Sequence, residues 1–314
     1  MSACPKGFKI SPFMQDLMLY AGQDAPYEQA AASLNKLLGA DASAKQIERL
    51  VRAYGPLVGE AIMEHEDSLL PCAADAERAY GYLDGCLLLT RTQGWMEVKL
   101  CRVHFEEDLL SLSPKRNCVR KSEFWGHLGG KDGFFELIEP RIGLLSNLVV
   151  VSDGAAWIWK WVGENFPNAI QILDSFHAFE YLTPYAKEQF RDQTKAKEWV
   201  EEQKELLKAD EVEQVIDNIR TAFPPTKAAK EQQKRISTYF TNNKGRMKYK
   251  TYTDQGLQIG SGPIESANRT AIQHRLKRSG QRWTIPGAQA VINIRTAQLS
   301  GKWNFVLQEI RKTA

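Results

Sequence analysis

The sequence has no long apolar run. No stretch of about 18 consecutive apolar residues, the length that a membrane-spanning helix needs, occurs among its 314 residues. The first 13 residues, MSACPKGFKISPF, have no apolar segment of the kind that a secretory signal contains. These absences predict a protein without a membrane span or a signal peptide, and the cytoplasm is the expected compartment.

The cysteines form no Cys-x-x-Cys pair. Five are scattered along the chain, at Cys4, Cys72, Cys86, Cys101 and Cys118. This spacing argues against a disulfide framework and against a zinc site made by this chain alone. The sequence therefore predicts free thiols.

Charge is nearly balanced overall but concentrated near the carboxyl terminus. The net charge is +3, and 43% hydrophobic content suits one large domain or two modest ones. Residues 242–283 alone contain nine Lys or Arg against two acids, with tyrosine and tryptophan interleaved. Such a segment suits a phosphate backbone and stacked bases, although a solvated basic face is the alternative.

Residues 27–55 show two apolar sets with helical spacing. Gly39 stands where a C-cap glycine belongs and Ser43 where an N-cap belongs, which predicts two short helices joined by a tight turn. This arrangement is compatible with a helix-turn-helix, and an ordinary helical hairpin is equally compatible. The basic residues of the second helix lie on the side opposite its apolar stripe, as in a recognition helix that binds the DNA major groove. They are Lys45, Arg49 and Arg52.

The pattern changes to strands after residue 79. AYGYLDGCLLLTRTQGWMEVKLCRVHF predicts two antiparallel strands, a third is expected within 116–128, and a helix is expected within 133–145. NLVVVSD and NAIQILDSFH then predict two short buried strands separated by a helix. We therefore expect an α/β chain with a mixed sheet flanked by helices.

Residues 178–238 are rich in Lys, Glu, Gln and Ala at helical spacing, and Pro224 and Pro225 interrupt them. This composition predicts an all-helical block. Its charges are mostly spaced to face water, so a solvated insertion or an interaction module is the ordinary interpretation.

Three acids are distinguished by their context. Asp84 follows YGYL in the first predicted strand, Asp153 ends a buried strand, and Glu265 follows Gly-Ser-Gly-Pro at a predicted helix start. Each acid by itself is most often a cap or a surface group. Carboxylates that converge repel one another unless cations lie between them, and Mg²⁺ prefers such oxygen ligands.

These motifs resemble a known family as a set. VVVSDGAAWI, ILDSFHAFEYL, the helical block, GSGPIESANR and QHRLKRSGQRW are similar to the catalytic core of bacterial insertion-sequence transposases of the DDE type, in the ISKra-type group with a helical insertion. The resemblance covers roughly residues 10–300. It implies a ribonuclease H-like fold, with Asp84, Asp153 and Glu265 as the catalytic and metal-binding acids.

The resemblance also implies a reaction and partners. Two divalent cations, Mg²⁺ with Mn²⁺ tolerated, would support hydrolysis at the element end and strand transfer into target DNA without a covalent protein intermediate. The partners would be double-stranded DNA of the element ends and the target, and a second copy of the chain in a homodimer or higher assembly. A location at the bacterial nucleoid follows from the same resemblance.

Further residues are implied by the motifs around the acids. LDSFH resembles the Cys/Asp-x-x-His element of Mutator-like transposases and would make Asp174 and His177 accessory residues. The alternatives are a helix-capping aspartate and a packing histidine. Phosphate contacts are expected from the basic residues after Glu265, each of which would steepen the salt dependence of binding. They are Arg269, Arg275, Lys277, Arg278 and Arg282.

The resemblance predicts four segments. Residues 1–75 form a helical, helix-turn-helix-like part, 76–180 the first part of the catalytic core, 181–240 the helical insertion, and 241–314 the second part with basic helices. Family members commonly carry an amino-terminal cysteine-rich zinc-binding segment, of which only Cys4 remains here, so either a truncated copy or a shortened open reading frame is expected.

Alternatives remain open for one acid and for the reaction. Asp75 lies nine residues before Asp84 and is the alternative first acid, although the strand-like surroundings favour Asp84. A metal-dependent nuclease on the same fold and a catalytically silent DNA-binding derivative are the alternative functions.

Overall fold

The computed structural model describes residues 8–64, 78–113 and 116–313, without the side chains of 111–113 and 116–117. Cys4, Cys72 and the alternative first acid Asp75 lie outside these residues. The chain divides into two compact units. The first comprises Met1–Asn147 and Pro263–Ala314, and the second comprises Leu148–Gly262.

The described elements are given in chain order. The first unit begins with α1 Pro12–Asp24, α2 Tyr27–Leu38, α3 Ala44–Glu64, β1 Ala79–Leu89, β2 Trp95–Phe105, β3 Leu109–Ser113, β4 Arg116–Val119, β5 Glu123–Leu128 and α4 Lys131–Ile142. The second contains β6 Leu148–Ser152, α5 Ala156–Asn165, β7 Ile170–Leu173, α6 Ser175–Gln189, α7 Gln193–Lys208, α8 Val212–Thr221, α9 Lys227–Asn243 and α10 Tyr249–Asp254. The chain continues with α11 Gly262–Ala267, α12 His274–Leu276, α13 Ile285–Leu299 and α14 Trp303–Thr313.

The predicted pair of amino-terminal helices is present. Gly39 ends α2 in the left-handed conformation, with φ 61°, which glycine adopts without steric cost. Ser43 and Gln46 form a reciprocal cap at the start of α3, since the Ser43 hydroxyl accepts from the Gln46 amide and the Gln46 side chain accepts from the Ser43 amide. The helix α3 is 21 residues long rather than short.

The first unit contains an antiparallel sheet in the order β5-β2-β1. Strand β2 pairs with β1 from Ala79↔Phe105 to Leu89↔Trp95, so the two predicted strands are confirmed. The third predicted strand is instead two strands, because the chain leaves extended pairing at residues 120–122. The first of these, β4, pairs with β3 in a separate two-stranded sheet that the sequence pattern did not indicate.

Helix α13 is buried on nearly all sides. Its core residues are Ala288, Ala290, Val291, Ile292 and Ile294. The backbone of α3 approaches α13 closely at Gly55, where an added Cβ would lie 2.5 Å from the Cα of Ala290. On the other side, the Gln289 side chain accepts from the Leu128 amide and donates to the Gly126 carbonyl. These two bonds cover the free edge of β5 and so protect it from pairing with another chain.

The second unit contains a parallel strand pair and a helical block. Val149–Ser152 of β6 pairs with Ile170–Leu173 of β7, and every residue of β6 is buried, as the continuous apolar pattern predicted. The helices α6, α7, α8 and α9 occupy the Lys- and Glu-rich block, and Pro224 and Pro225 lie in the break before α9. The helical prediction for this block is therefore confirmed.

The chain is thus of mixed α/β class, with antiparallel strands in one unit, parallel strands in the other, and helices in both. Among the helices that the structure describes, none has the length and apolar character needed to cross a bilayer.

The close approach of α3 and α13 gives a test of the first unit. Gly55→Ala forces a methyl group against the backbone of Ala290, and we expect it to lower the free energy of unfolding by about 1–3 kcal/mol. Gly163→Ala is the matched control, because nothing lies within 4 Å of its added Cβ in the exposed end of α5. That change should stabilise by about 0.4–1 kcal/mol in urea unfolding. Equal effects of the two changes would contradict the packing described here.

Candidate active site

In the second unit, two acids leave the parallel strands at the same edge. Ser152 pairs with Leu173, so the next residues, Asp153 and Asp174, both follow the carboxyl ends of their strands. The Asp174 amide donates to the Ser152 carbonyl at 2.8 Å, which extends the strand pairing by one bond. This edge is where parallel α/β sheets present functional side chains.

Asp174 is fully buried and its carboxylate is occupied by protein partners. One oxygen accepts from the Phe176 amide at 3.0 Å and caps α6. The other accepts from the Ser261 hydroxyl at 2.6 Å and lies 3.7 Å from Nε2 of His177. The capping role that the sequence left open for Asp174 is therefore present, and the same carboxylate lies beside the imidazole.

His177 lies in the first turn of α6 between two acids. Its Nε2 faces Asp174, and its Nδ1 lies 3.6 Å from an oxygen of the exposed Glu180. The side chain is 39% exposed, so it can reach a ligand from solvent, with the Asp174 carboxylate nearby at 3.7 Å.

Asp153 is held differently from Asp174. Its carboxylate is half-buried and accepts from the Ala155 amide at 3.0 Å, a local turn bond. Its backbone carbonyl accepts from the Trp159 indole at 2.7 Å, and the guanidinium of Arg246 lies 4.7 Å from the centre of a Trp159 ring. The Trp159 indole thus holds the backbone of Asp153 in place, and the carboxylate of Asp153 has fewer protein partners than that of Asp174.

A tyrosine from the helical block packs beside Asp153. The ring of Tyr239 lies so close to Gly154 that an added Cβ there would be 2.2 Å from a ring carbon. Tyr181 stacks on the same ring with centroids 3.9 Å apart. Burial, followed by the nearby Tyr181 and the charges of Asp153 and Asp174, raises the pKa of Tyr239 well above its usual value, so its hydroxyl stays protonated. Among the described residues, that hydroxyl has no hydrogen-bond partner.

In the first unit, Asp84 is tied to the segment that carries Glu265. Asp84 lies in the middle of β1, half-buried, and one oxygen accepts from the neighbouring Gly85 amide at 2.7 Å. The other oxygen accepts from the side chain of Asn268 at 2.5 Å. Asn268 is three residues after Glu265. The bond to Asn268 therefore links Asp84 to the helical segment of Glu265, although the two acids are 181 residues apart in sequence.

The helical segment after Glu265 is irregular. Residues Asn268–Gln273 form a π-helix between α11 and α12, a geometry that often marks functional positions. Asn268 begins this stretch and is 4% exposed, whereas Glu265 is exposed in the first turn of α11. The buried Arg102 donates to the Pro263 carbonyl at 2.7 Å and anchors the start of α11 on β2.

The basic residues expected to contact phosphate differ in exposure. Lys45, Arg49 and Arg52 are exposed on α3, and Arg269, Lys277 and Arg282 are also exposed. Arg278 is half-buried and donates to the Gln29 side chain at 3.3 Å. Arg275 is different from all of these, because it is only 1% exposed. It is therefore an internal group and not part of an open basic face.

Sequence reasoning assigned no role to three polar residues of these clusters. They are Tyr239, Ser261 and Asn268. Ser261 and Asn268 flank Glu265 within the GSGPIESANR motif, so their closeness to it in the sequence was an available signal. Tyr239 carried no such signal, because it lies in the helical block and only the folded chain brings it to Gly154.

Comparisons with known proteins identify a family. The model of the "Uncharacterised protein family (UPF0236)" matches residues 142–311, which include Asp153, Asp174, His177 and Glu265 but not Asp84. A "UPF0236 protein in vanSb 3'region" of Streptococcus gallolyticus is 25% identical over 304 residues. The alignment covers 93% of this chain and 64% of that protein, so the chain spans less than two thirds of that relative's length.

The different surroundings of Asp153 and Asp174 predict different costs of removal. Asp174→Ala removes a helix cap and leaves the buried Ser261 hydroxyl without its acceptor, so we expect a loss of roughly 2–4 kcal/mol in the free energy of unfolding. Asp153→Ala removes one local bond and should cost about 1 kcal/mol or less. Urea unfolding of both variants checks this, and a larger loss for Asp153→Ala would contradict the assignment.

Proposed function

The chain belongs to the UPF0236 family, and we propose that it is a DNA transposase of the DDE type with a ribonuclease H-like core of the ISKra-type group. In this proposal it binds the ends of an insertion sequence, hydrolyses a phosphodiester bond there and joins the resulting 3′-hydroxyl to target DNA. Asp84, Asp153 and Glu265 are the proposed catalytic residues.

The bond between Asn268 and Asp84 supports the proposal most directly. It joins the middle of a strand to the helical segment of Glu265, two positions that the motifs had singled out for independent reasons. The donor and the acceptor are 184 positions apart in the sequence, so the contact depends on the tertiary fold of this unit. The π-helix that begins at Asn268 adds a second irregular feature at the same place.

The carboxylate of Asp153 supplies the second argument. A continuous apolar strand that ends in a half-buried acid is costly unless the acid serves a ligand or a cap. Asp174 on the neighbouring strand caps α6 and binds Ser261, whereas Asp153 makes one local bond with its side chain. Asp153 is therefore the acid of this edge that is better suited to a ligand.

The donor set fits hard divalent cations. Asp84, Asp153 and Glu265 carry carboxylate oxygens, the ligands that Mg²⁺ prefers, and Mn²⁺ accepts the same ligands. Both oxygens of Asp84 also accept from protein groups, the Gly85 amide and the Asn268 side chain, so Asp84 would bind an ion through its remaining lone pairs. Two such ions, when bound, supply an activated water or hydroxyl and stabilise the leaving oxygen. We propose that these three residues hold them.

His177 and Tyr239 are proposed to act on the substrate rather than on the ions. The exposed edge of His177, beside Asp174, can donate to a phosphate oxygen. The protonated hydroxyl of Tyr239 is buried and has no hydrogen-bond partner among the described residues, so it would be a second donor beside Asp153 once a substrate reaches it. Together they would orient a phosphate group in the second unit.

DNA contacts are proposed for the exposed cations. Lys45, Arg49 and Arg52 share the solvent side of α3, and the basic residues after Glu265 form the other group. The partners are double-stranded DNA of the element ends and the target, with a homodimer or higher assembly to hold two ends. The proposed location is the nucleoid in the bacterial cytoplasm.

Conservative replacement of the acids tests the chemistry. Asp84→Asn, Asp153→Asn and Glu265→Gln should each lower Mg²⁺- or Mn²⁺-dependent cleavage of element-end DNA by at least about 100-fold, because each removes a charge that the ions need. DNA affinity should change less than about threefold. Cleavage is measured on labelled duplexes taken from the DNA that flanks the gene, with binding measured by fluorescence anisotropy.

Two matched controls accompany these variants. Asp132→Asn and Glu198→Gln change exposed acids of α4 and α7 and should leave cleavage within about twofold of the wild type. A metal-dependent nuclease would cut but yield no joined product, and a silent DNA-binding derivative would bind without cutting. Wild-type binding without metal-dependent cleavage would contradict the enzyme proposal.

The exposed face of α3 gives a test of DNA binding. Arg49→Ala and Lys45→Ala should each lower the slope of log affinity against log salt by about 0.9, since each phosphate contact releases about that number of counterions. Lys36→Ala, an exposed lysine near the end of α2, is the control and should leave the slope unchanged. Unchanged slopes in all three variants would place the DNA on another face.

A further inference from the structure

A polar cavity of about 300 Å³ lies within the first unit at the start of α13. Four arginines line it, and the two acids of the lining leave it with an excess of positive charge. The arginines are Arg52, Arg91, Arg275 and Arg282. The acids are Glu28 and Glu48, and Glu48 lies 3.9 Å from Arg52 in an exposed pair.

Arg275 is a buried cation with unused donors. It is 1% exposed, and its Nε donates to the Gly22 carbonyl at 3.0 Å. Its two terminal nitrogens, Nη1 and Nη2, have no hydrogen-bond partner in the described parts of the chain. A buried charge without partners on its donors is strongly unfavourable, so the arrangement calls for an acceptor that brings negative charge.

Two aromatic rings flank Arg275. Its guanidinium carbon lies 4.8 Å from the ring centre of Tyr27 and 5.0 Å from that of Trp283. Cation–π contacts of this kind engage the faces of a guanidinium, while its N–H groups point outward along the edge. The rings restrain Arg275, and the Tyr27 hydroxyl also interacts with this guanidinium through its side chain, which leaves the remaining N–H groups for a planar acceptor.

The protein environment of Arg275 does not neutralise it. Burial, together with the charges of Arg295 and Arg278, lowers the pKa of Arg275, although a guanidinium remains protonated in proteins. Burial also raises the pKa of Tyr27 to about 12, so this phenol is neutral at physiological pH.

The rim of the cavity is also shaped to receive an anion. Arg91 is fixed by two bonds, from its amide to the Trp283 carbonyl at 2.8 Å and from its Nε to the Arg282 carbonyl at 3.1 Å. Helix α13 starts at the same rim, with Thr284 as its N-cap, so its positive dipole end lies there. Within the described parts of the chain, the buried Gln281 oxygen also has no partner, and rotation of its amide would present N–H groups instead.

We propose that this cavity binds a phosphoryl group, with the two terminal nitrogens of Arg275 donating to its oxygens and Arg91 and Arg282 closing over it. The source is either a phosphate of a DNA strand or a small phosphate from solution. Only the assignment to DNA rests on the proposed function, because binding of a phosphoryl group here requires neither divalent cations nor the acids of the candidate active site.

The test is a titration of the full chain with inorganic phosphate and with pyrophosphate, at constant ionic strength, followed by tryptophan fluorescence and by calorimetry. We expect saturable binding that Arg275→Met weakens by at least about tenfold, since it removes charged hydrogen bonds. Arg275→Lys should restore only part of the affinity, because a lysine cannot donate in pairs from a fixed plane. Arg282→Ala, an exposed change, should weaken binding severalfold without affecting folding.

The controls separate this site from general charge effects and from the proposed reaction. Arg311→Ala removes an exposed cation of α14 and should bind phosphate as the wild type does. Asp153→Asn should also retain phosphate binding, so loss of cleavage and loss of this site are distinguishable. Unfolding curves of each variant identify any that fail to fold. If an Arg275 variant does not fold, phosphate binding by Arg282→Ala and Arg91→Ala tests the site instead.

Two results would overturn the proposal. Absence of saturable binding by phosphate and pyrophosphate would remove the site, and so would equal binding by wild type, Arg275→Lys and Arg282→Ala. Competition by a 5′-phosphorylated oligonucleotide supports DNA as the source. If phosphate binds and the oligonucleotide does not compete, the assignment to DNA is wrong.

Discussion

Burial of α13 is the constraint on which the first unit depends. From its buried side, Arg295 donates to the Thr270 carbonyl through Nε and to the Gln23 carbonyl through Nη1. One side chain thus ties the π-helical segment after Glu265 to the end of α1. The same segment carries Asn268, which donates to Asp84. Helix α13 is therefore linked to Asp84 by two hydrogen bonds, from Arg295 to the Thr270 carbonyl and from Asn268 to Asp84, with one helical turn between them.

The second unit shows how one strand edge can carry two acids with different tasks. Asp174 is buried and caps α6. Its burial is balanced by hydrogen bonds from the Phe176 amide and the Ser261 hydroxyl, and His177 lies nearby. Asp153 is more exposed and depends on Trp159 for the position of its backbone. The division follows from solvation, since only the more accessible carboxylate, that of Asp153, can be reached by a ligand without rearrangement.

Much of the local structure could be predicted from the sequence. The apolar run of β6, the glycine that ends α2 and the prolines before α9 each follow from a short-range rule, and each is present. Strand β3 and its pairing with β4 escaped prediction because these short strands lack clear alternation. The four-residue β7 was predicted from the short apolar run within NAIQILDSFH.

The long-range polar contacts could not be predicted in the same way. The sequence marked Asp84 and Glu265 but contained no periodic signal for the amide of Asn268, and Tyr239 meets Gly154 only through the packing of α9. Arg275 is the clearest case. It lies in a basic run that suggests a solvated face, and only the tertiary fold buries it between Tyr27 and Trp283.

The most direct measurement of the central claim is strand transfer with a pre-cut end. A labelled duplex from the DNA that flanks the gene, cut to leave a free 3′-hydroxyl, is incubated with the full chain, Mg²⁺ and a supercoiled plasmid. The account predicts labelled plasmid with the wild type and none with Asp153→Asn, although both bind the duplex. Binding by the wild type without any metal-dependent joined product would contradict it.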